Sequence, residues 1–378
     1  MRRIIVMITL VLILCKIWSL PLSATKYGEE YIAENLEQIE NEIEAEIPAE
    51  TKKLLAELNL TQLELHQILS LKPSQFVILF QTQLKENWQT PRRVLGYMIG
   101  TLLLCSLVFP MKDSMLKQGT AQLYGLISTV CLCSIFINPL LNCITGSINM
   151  LKNCTNFLRA LIPILSAVLA IGGHAVTASG YQLLLFGACQ LIGTMASGIT
   201  SVLGVFTTLG IVTAIFPNLG LQGLINGLKR LLYWILGIVM TFFVAFLSMQ
   251  SFVTSALDTV TLKTSRFVIG SFIPIVGSIL SDAYGVATGC FSLLRSTIGI
   301  FGIIVALCMI LPTLLKTALW YMVTWLGVQL STILQINELN DLLKNTNSSI
   351  SILLALQLSM LLLMTVAMAL VIFIGKGG

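Results

Sequence analysis

The sequence predicts an all-α, polytopic membrane protein: a bundle of about seven to nine hydrophobic segments with an internal duplication, behind a small helical N-terminal extracytoplasmic region. Three observations carry this. The 378 residues are 56% hydrophobic and 10% charged, against roughly 45–50% and about 25% in a soluble domain. Acidic residues crowd the N-terminal part, and after Glu86 only Asp113, Asp258, Asp282, Glu338 and Asp341 remain. From there the chain is a succession of apolar runs near the ~20 residues that cross a bilayer, giving a mean hydropathy of +0.90.

Residues 1–24 have the layout of a signal peptide or signal anchor: Arg2 and Arg3, an apolar run from Ile4 to Leu14 followed by Lys16, and a small-residue exit at Leu22-Ser23-Ala24. Residues 25–92 are then an acidic, helical extracytoplasmic region. Glu29, Glu30, Glu34, Glu37, Glu40, Glu42, Glu44, Glu46 and Glu50 surround a seam of Ile32, Leu36, Ile39 and Ile43, whose spacing of four, three and four is that of a helix with one apolar edge. The seam is narrower than a core face, so it reads either as a solvated acidic helix or as a surface for a partner. Pro48 ends it. Thr61 with Glu64 forms a capping box for a second short helix, and Ser74 after Pro73 starts a third.

Residues 93–378 form the multi-span membrane domain. Its expected spans are Val94 to Phe109, Ala121 to Leu141, Leu158 to Ala178, Tyr181 to Phe216, Leu231 to Phe252, Phe267 to Thr288, Cys290 to Leu311, Leu314 to Leu334 and Ile350 to Ile374. With the N-terminal region outside, Lys112, Lys117, Lys263, Arg266, Lys316 and Lys376 fall inside, while Arg92, Arg93, Lys152, Lys229 and Arg230 fall outside. The positive-inside rule is nearly balanced, and one re-entrant or interfacial run would flip everything after it. Leu161-Ile162-Pro163-Ile164-Leu165 is echoed by Phe272-Ile273-Pro274-Ile275-Val276, and each such span is followed by a run ending at a proline, Pro217 or Pro312. That points to a duplicated unit. Inverted copies with proline-interrupted helices are a transporter device, whereas prolines that merely set span starts or kinks need no such explanation.

Groups able to do chemistry are few. The basic residues are scattered without interleaved aromatics, which excludes a nucleic-acid surface. The nine cysteines, Cys15, Cys105, Cys131, Cys133, Cys143, Cys154, Cys189, Cys290 and Cys308, lie in or beside apolar runs and form no disulfide framework. Cys131 and Cys133 point to different faces of a helix, His66 and His174 have no ligand partners at metal spacing, and no nucleotide or hydrolase motif occurs, so no metal, cofactor or catalytic residue is expected. The candidate pore, partner or structural positions are Asp258, Lys263 and Arg266 in a polar linker, Pro163 and Pro274 in the echoed spans, and Asp282 and Arg295, expected to flank a short turn and pair across it. Gly193 through Gly198 and the pair Gly299 and Gly302 let helices approach closely, in a tight bundle or in an oligomer of this chain.

The run Asp258-Thr259-Val260-Thr261-Leu262-Lys263-Thr264-Ser265-Arg266-Phe267, continuing through Gly270 and Phe272 to Gly277 and then Ser281-Asp282-Ala283, resembles the signature region of the stage III sporulation protein AE family. Leu161 to Leu165 before Gly172-Gly173, and Thr297 to Gly302, resemble the same pattern. The resemblance runs from about Val94 to the end and matches the acidic N-terminal part only in kind. It implies a multi-pass protein in the mother-cell membrane around the forespore, with its N-terminal region in the intermembrane space. It further implies part of a secretion-like channel needed for late forespore gene expression. Expected partners are the other stage III sporulation A proteins, including an ATPase and ring-forming components, with stage II sporulation protein Q reached indirectly, besides membrane lipid. The resemblance carries no catalytic residue. The rival readings are an autonomous secondary transporter of a small solute and a non-conducting membrane scaffold.

Overall fold

The computed structural model describes residues 43–58, 60, 71–108, 118–172, 174–216, 220–245 and 277–373, and among these described residues seven helices are nine residues long or more. The signal segment, the acidic seam before Ile43, the Thr61 capping box, and the linker and echo carrying Asp258, Lys263, Arg266 and Pro274 lie outside the described residues.

The first helix, α1 (Ala49–Glu57), starts after Pro48, which lacks the N–H that a helix start leaves unused, and carries Glu50 in its positive first turn. Leu54 and Leu55 are buried, and so are Ile43 and Ile47 just before it. α1 packs on α6 (Gly277–Ile333). Ile43, the last residue of the predicted seam, is thus buried within this chain. The ion pair of Lys52 with Glu44, at 4.0 Å and half exposed, adds little.

α2 (Pro73–Val108) opens with Pro73 at the first helical position, and Gln75 reaches back to accept the Lys72 N–H at 3.0 Å. It runs without a break through Pro91 and so joins the expected third short helix to the expected first span. The predicted domain boundary at residues 92 and 93 falls inside it.

α3 (Gln118–Ile171) has 54 residues and α6 has 57. At 1.5 Å per residue these are about 80 and 85 Å long, more than twice the ~30 Å of a hydrocarbon core. This corrects four expectations. Ala121 to Leu141 and the start of the next run form one helix, because Asn142 to Asn156 is polar yet contains no proline, and its one glycine, Gly146, lies against Thr313 of α6. Cys290 to Leu311 and Leu314 to Leu334 are likewise continuous, with Pro312 inside α6 and not at the end of a span. The third expected span ends at Ile171; His174 occupies the N-cap of α4 (Ala175–Ile215), in the turn between two helices and not within one. Asp282 and Arg295 flank no turn, since both sit on α6, about 20 Å apart along its axis. The strict alternation of sides assumed for the basic residues therefore fails for α3 and α6. Among the described residues five helices are long and apolar enough to cross a membrane, represented by Leu126–Ile171, Ala175–Thr194, Gln222–Ala245, Phe291–Ile333 and Leu339–Ile372.

α5 (Gln222–Ala245) follows Gly220, whose φ of 63° suits a residue without a Cβ. The last helix, α7 (Asn337–Phe373), turns back from α6 through a Schellman closure: Ile336 N–H bonds Ser331 C=O at 3.1 Å and Gln335 N–H bonds Thr332 C=O at 3.2 Å. Gln335 takes the left-handed position at φ 56°, where glycine is usual. Fully buried Ile336 seals the turn.

The antiparallel pair α6 and α7 makes the largest helix–helix interface. Its closeness comes from glycine. A Cβ on Gly299 would stand 2.7 Å from Ile372 Cγ1, and one on Gly302 would stand 2.9 Å from Met368 Sδ. These are two of the small residues the sequence marked for close approach. α3 covers α6 and α7, α4 covers α3 and α7, and α2 lies along α6, with Met98 against Gly327.

Candidate functional site

α7 is surrounded by other helices, so its polar residues must find partners among them. At its start, Asn340 Oδ1 accepts from Ser331 Oγ at 3.2 Å and from Thr332 Oγ1 at 3.4 Å, which ties the two sides of the α6–α7 turn. Two turns on, Thr324 Oγ1 of α6 donates to Asn347 Oδ1 at 2.9 Å. The next residues turn to other neighbours. Lys229 Nζ of α5 donates to Ser348 Oγ at 2.8 Å, Ser349 Oγ lies 3.5 Å from Thr207 Oγ1 of α4, and Ser351 Oγ lies 2.6 Å from Tyr233 Oη of α5.

Deeper in the apolar part of α7 stands Gln357, fully buried. Its amide uses both hydrogens: Nε2 donates to Ser147 Oγ of α3 at 2.7 Å and to Thr317 Oγ1 of α6 at 2.9 Å. Each hydroxyl passes its own hydrogen on, Ser147 to Cys143 C=O at 2.6 Å and Thr317 to Thr313 C=O at 2.8 Å. One side chain thus joins three helices through two relayed bonds. Gln357 Oε1 has no hydrogen-bond partner among the described residues. Nearer the far end, Tyr181 Oη of α4 donates to Ala367 C=O at 3.1 Å. Interhelical bonds of this kind contribute about 0.6 kcal/mol each in a membrane bundle. Their geometry matters more than their sum, because a shift of α7 by one turn would strand several polar groups in an apolar interior.

Of the residues singled out from sequence, Arg295 is buried on α6, with its guanidinium Nη2 donating to Ser292 Oγ of the same helix at 3.2 Å and its Nε without a partner among the described residues. Pro163 lies inside α3 between core residues Ile162 and Ile164, and its carbonyl accepts from Ser166 Oγ at 2.9 Å. Asp282 belongs to α6, but its side chain lies outside the description, and the remaining positions are not described at all. Of the predicted positions only Pro163 and Arg295 have described side chains, and they sit on different helices, α3 and α6. The residues the structure does bring together, Ser147, Thr317 and Gln357 with the Asn345-Thr346-Asn347-Ser348-Ser349 run, were passed over because the run reads as a loop before a span. The available signal was Gln357, an amide amid more than a dozen apolar neighbours.

Among the described residues no group of three or more His, Cys, Asp or Glu is placed to hold a metal, and the described cysteines are free thiols. What the seam can do is hold five helices in one register.

Comparison with known proteins agrees with the sequence resemblance. The family described as Stage III sporulation protein AE matches residues 59–375. The Stage III sporulation protein AE of Bacillus subtilis (strain 168) is 27% identical over 219 residues, covering 56% of this chain and 55% of that protein, so the match spans about half the length of the curated relative. No solved structure matches. Among the described residues five helices are long and apolar enough to cross a membrane, and the family model matches most of the chain: the chain belongs to the stage III sporulation protein AE family.

Proposed function

We propose that this chain is an integral membrane component of the sporulation-specific, secretion-like channel linking mother cell and forespore, and that within it the chain serves as a packed scaffold. The observation that carries the scaffold reading is α7. The axis along which a one-chain conduit would run is filled by a helix hydrogen-bonded to α3, α4, α5 and α6. Any conduit would then lie between chains or in neighbouring subunits, and the energy for transport would come from an ATPase elsewhere in the assembly. The family resemblance supplies the assembly; the bundle supplies a rigid wall for it. Placement in the mother-cell membrane, with the N-terminal region in the intermembrane space, belongs to the same proposal.

The test is crosslinked affinity purification of the tagged chain from sporulating cells, with untagged extract as control. Recovery of the ring-forming stage III sporulation A proteins or their ATPase is expected. Isolation of the chain alone as a defined oligomer that moves a solute into liposomes would overturn the reading in favour of a transporter.

A further inference from the structure

A groove of about 420 Å³ runs along the outside of the bundle between α4 and α5, floored by α3 and α7. Its walls are almost wholly apolar: Leu184, Gly187 and Leu191 on one side, Met240 and Phe243 on the other, and Met360 below. All lie in helices long and apolar enough to cross a membrane, where an outward-facing groove would meet lipid.

The charged residues of α3 and α5 are all basic. Lys152 and Arg159 stand two turns apart on one face of α3, both exposed, and Lys229 and Arg230 lie on α5. No Asp or Glu occurs anywhere in α3, α4 or α5. Arg159 reaches from α3 to α4, where Nη2 donates to Gln190 Oε1 at 3.3 Å. Gln190 adjoins the lining residue Leu191. That single bond to a neutral amide leaves most of a five-donor guanidinium for another acceptor, and the planar fork matches a phosphate. A Cβ on Gly187 would meet nothing within 4 Å, so the groove is open where a chain would enter beside it.

We propose that this groove holds one acyl chain of an anionic phospholipid, with the lipid phosphate paired to Arg159. The apolar walls set the tail and the Arg159 guanidinium selects the head. A neutral lipid would fit the walls equally well, and the charge preference is what distinguishes a site from ordinary solvation by the bilayer.

The experiment uses the purified full chain in vesicles doped with spin-labelled phosphatidylglycerol or spin-labelled phosphatidylcholine, reading the motionally restricted fraction. The wild type is expected to retain the anionic probe about fivefold over the neutral one, the factor matching about 1 kcal/mol per basic residue near a lipid surface. Arg159→Gln should bring the preference near unity while leaving restricted phosphatidylcholine unchanged. Gly187→Trp should lower the restricted fraction of both probes, with an unchanged melting temperature showing that the bundle is intact. Equal retention of the two probes by the wild type, or a preference that survives Arg159→Gln, would overturn the proposal. So would efficient self-crosslinking of Gly187→Cys in membranes, which would give the groove to a second copy of this chain.

Discussion

The inner pair α6 and α7 and the outer pair α4 and α5 are all built from strongly apolar sequence, yet they are used differently. In the most apolar stretches of α6 and α7, 67% and 56% of residues are buried against protein; in α4 and α5 the figures are 33% and 11%. Glycine shows what separates them. In α6, Gly299, Gly302 and Gly327 each have a neighbour where a Cβ would be and Gly289 has none, whereas Gly187, Gly193, Gly198 and Gly204 of α4 and Gly223, Gly227 and Gly237 of α5 have none within 4 Å. The exception in α4 is Gly210, where a Cβ would stand 3.0 Å from Asn345 Cβ. Inside a membrane, burial is not driven by hydrophobicity, since lipid tails are as apolar as leucine. Close approach and polar pairing select the inner helices.

The largest expected effect tests that contrast directly. Gly299→Leu forces a side chain into Ile372 and should destabilise the bundle by about 3 kcal/mol in thermal unfolding of the purified protein in detergent. Gly193→Leu, on the outer face, should stay within about 0.5 kcal/mol. Equal costs would mean that the outer helices are as tightly engaged as the inner ones, and the contrast would be lost.

A smaller effect probes the polar seam. Gln357→Leu and Thr317→Val should couple by about 0.6–1 kcal/mol in a double-mutant cycle, because each removes one end of the same 2.9 Å bond. Strict additivity would show that the seam sets no register. The smallest effect concerns the α6–α7 turn. Gln335→Gly relieves a left-handed φ of 56° at some cost in unfolded-chain entropy, for a net gain of about 0.5 kcal/mol. A loss in melting temperature would mean that the Gln335 side chain holds the hairpin in a way the backbone does not reveal.

Much of the architecture was legible because it follows from local rules. Apolar length marks the crossing segments, Pro73 and Ser74 mark the start of α2, and Gly299 with Gly302 mark a close approach that the α6–α7 interface uses. Where the reading failed, it had treated proline and polar residues as boundaries. Pro312 and the Asn142 to Asn156 stretch sit inside long helices, since a packed neighbour holds a helix through one missing hydrogen bond and neighbouring helices satisfy its polar side chains. The pairing of Asp282 with Arg295 failed for the same reason, as it needed a turn that continuous helix replaces. Gln357 was missed because one amide in an apolar run has no local pattern; its meaning comes from Ser147 and Thr317, which lie far away in sequence.

By itself the sequence determined that this protein is helical, rich in apolar segments of membrane length and a member of the stage III sporulation protein AE family, because apolar composition, segment length and the family match over residues 59–375 are properties of the chain read one window at a time. Only the tertiary structure decided where long helices run on without reversing, which apolar helix is central, and which polar residues meet. Those depend on contacts between residues up to 210 positions apart, and in lipid every apolar helix has the same claim to the interior until glycines and hydrogen bonds choose among them.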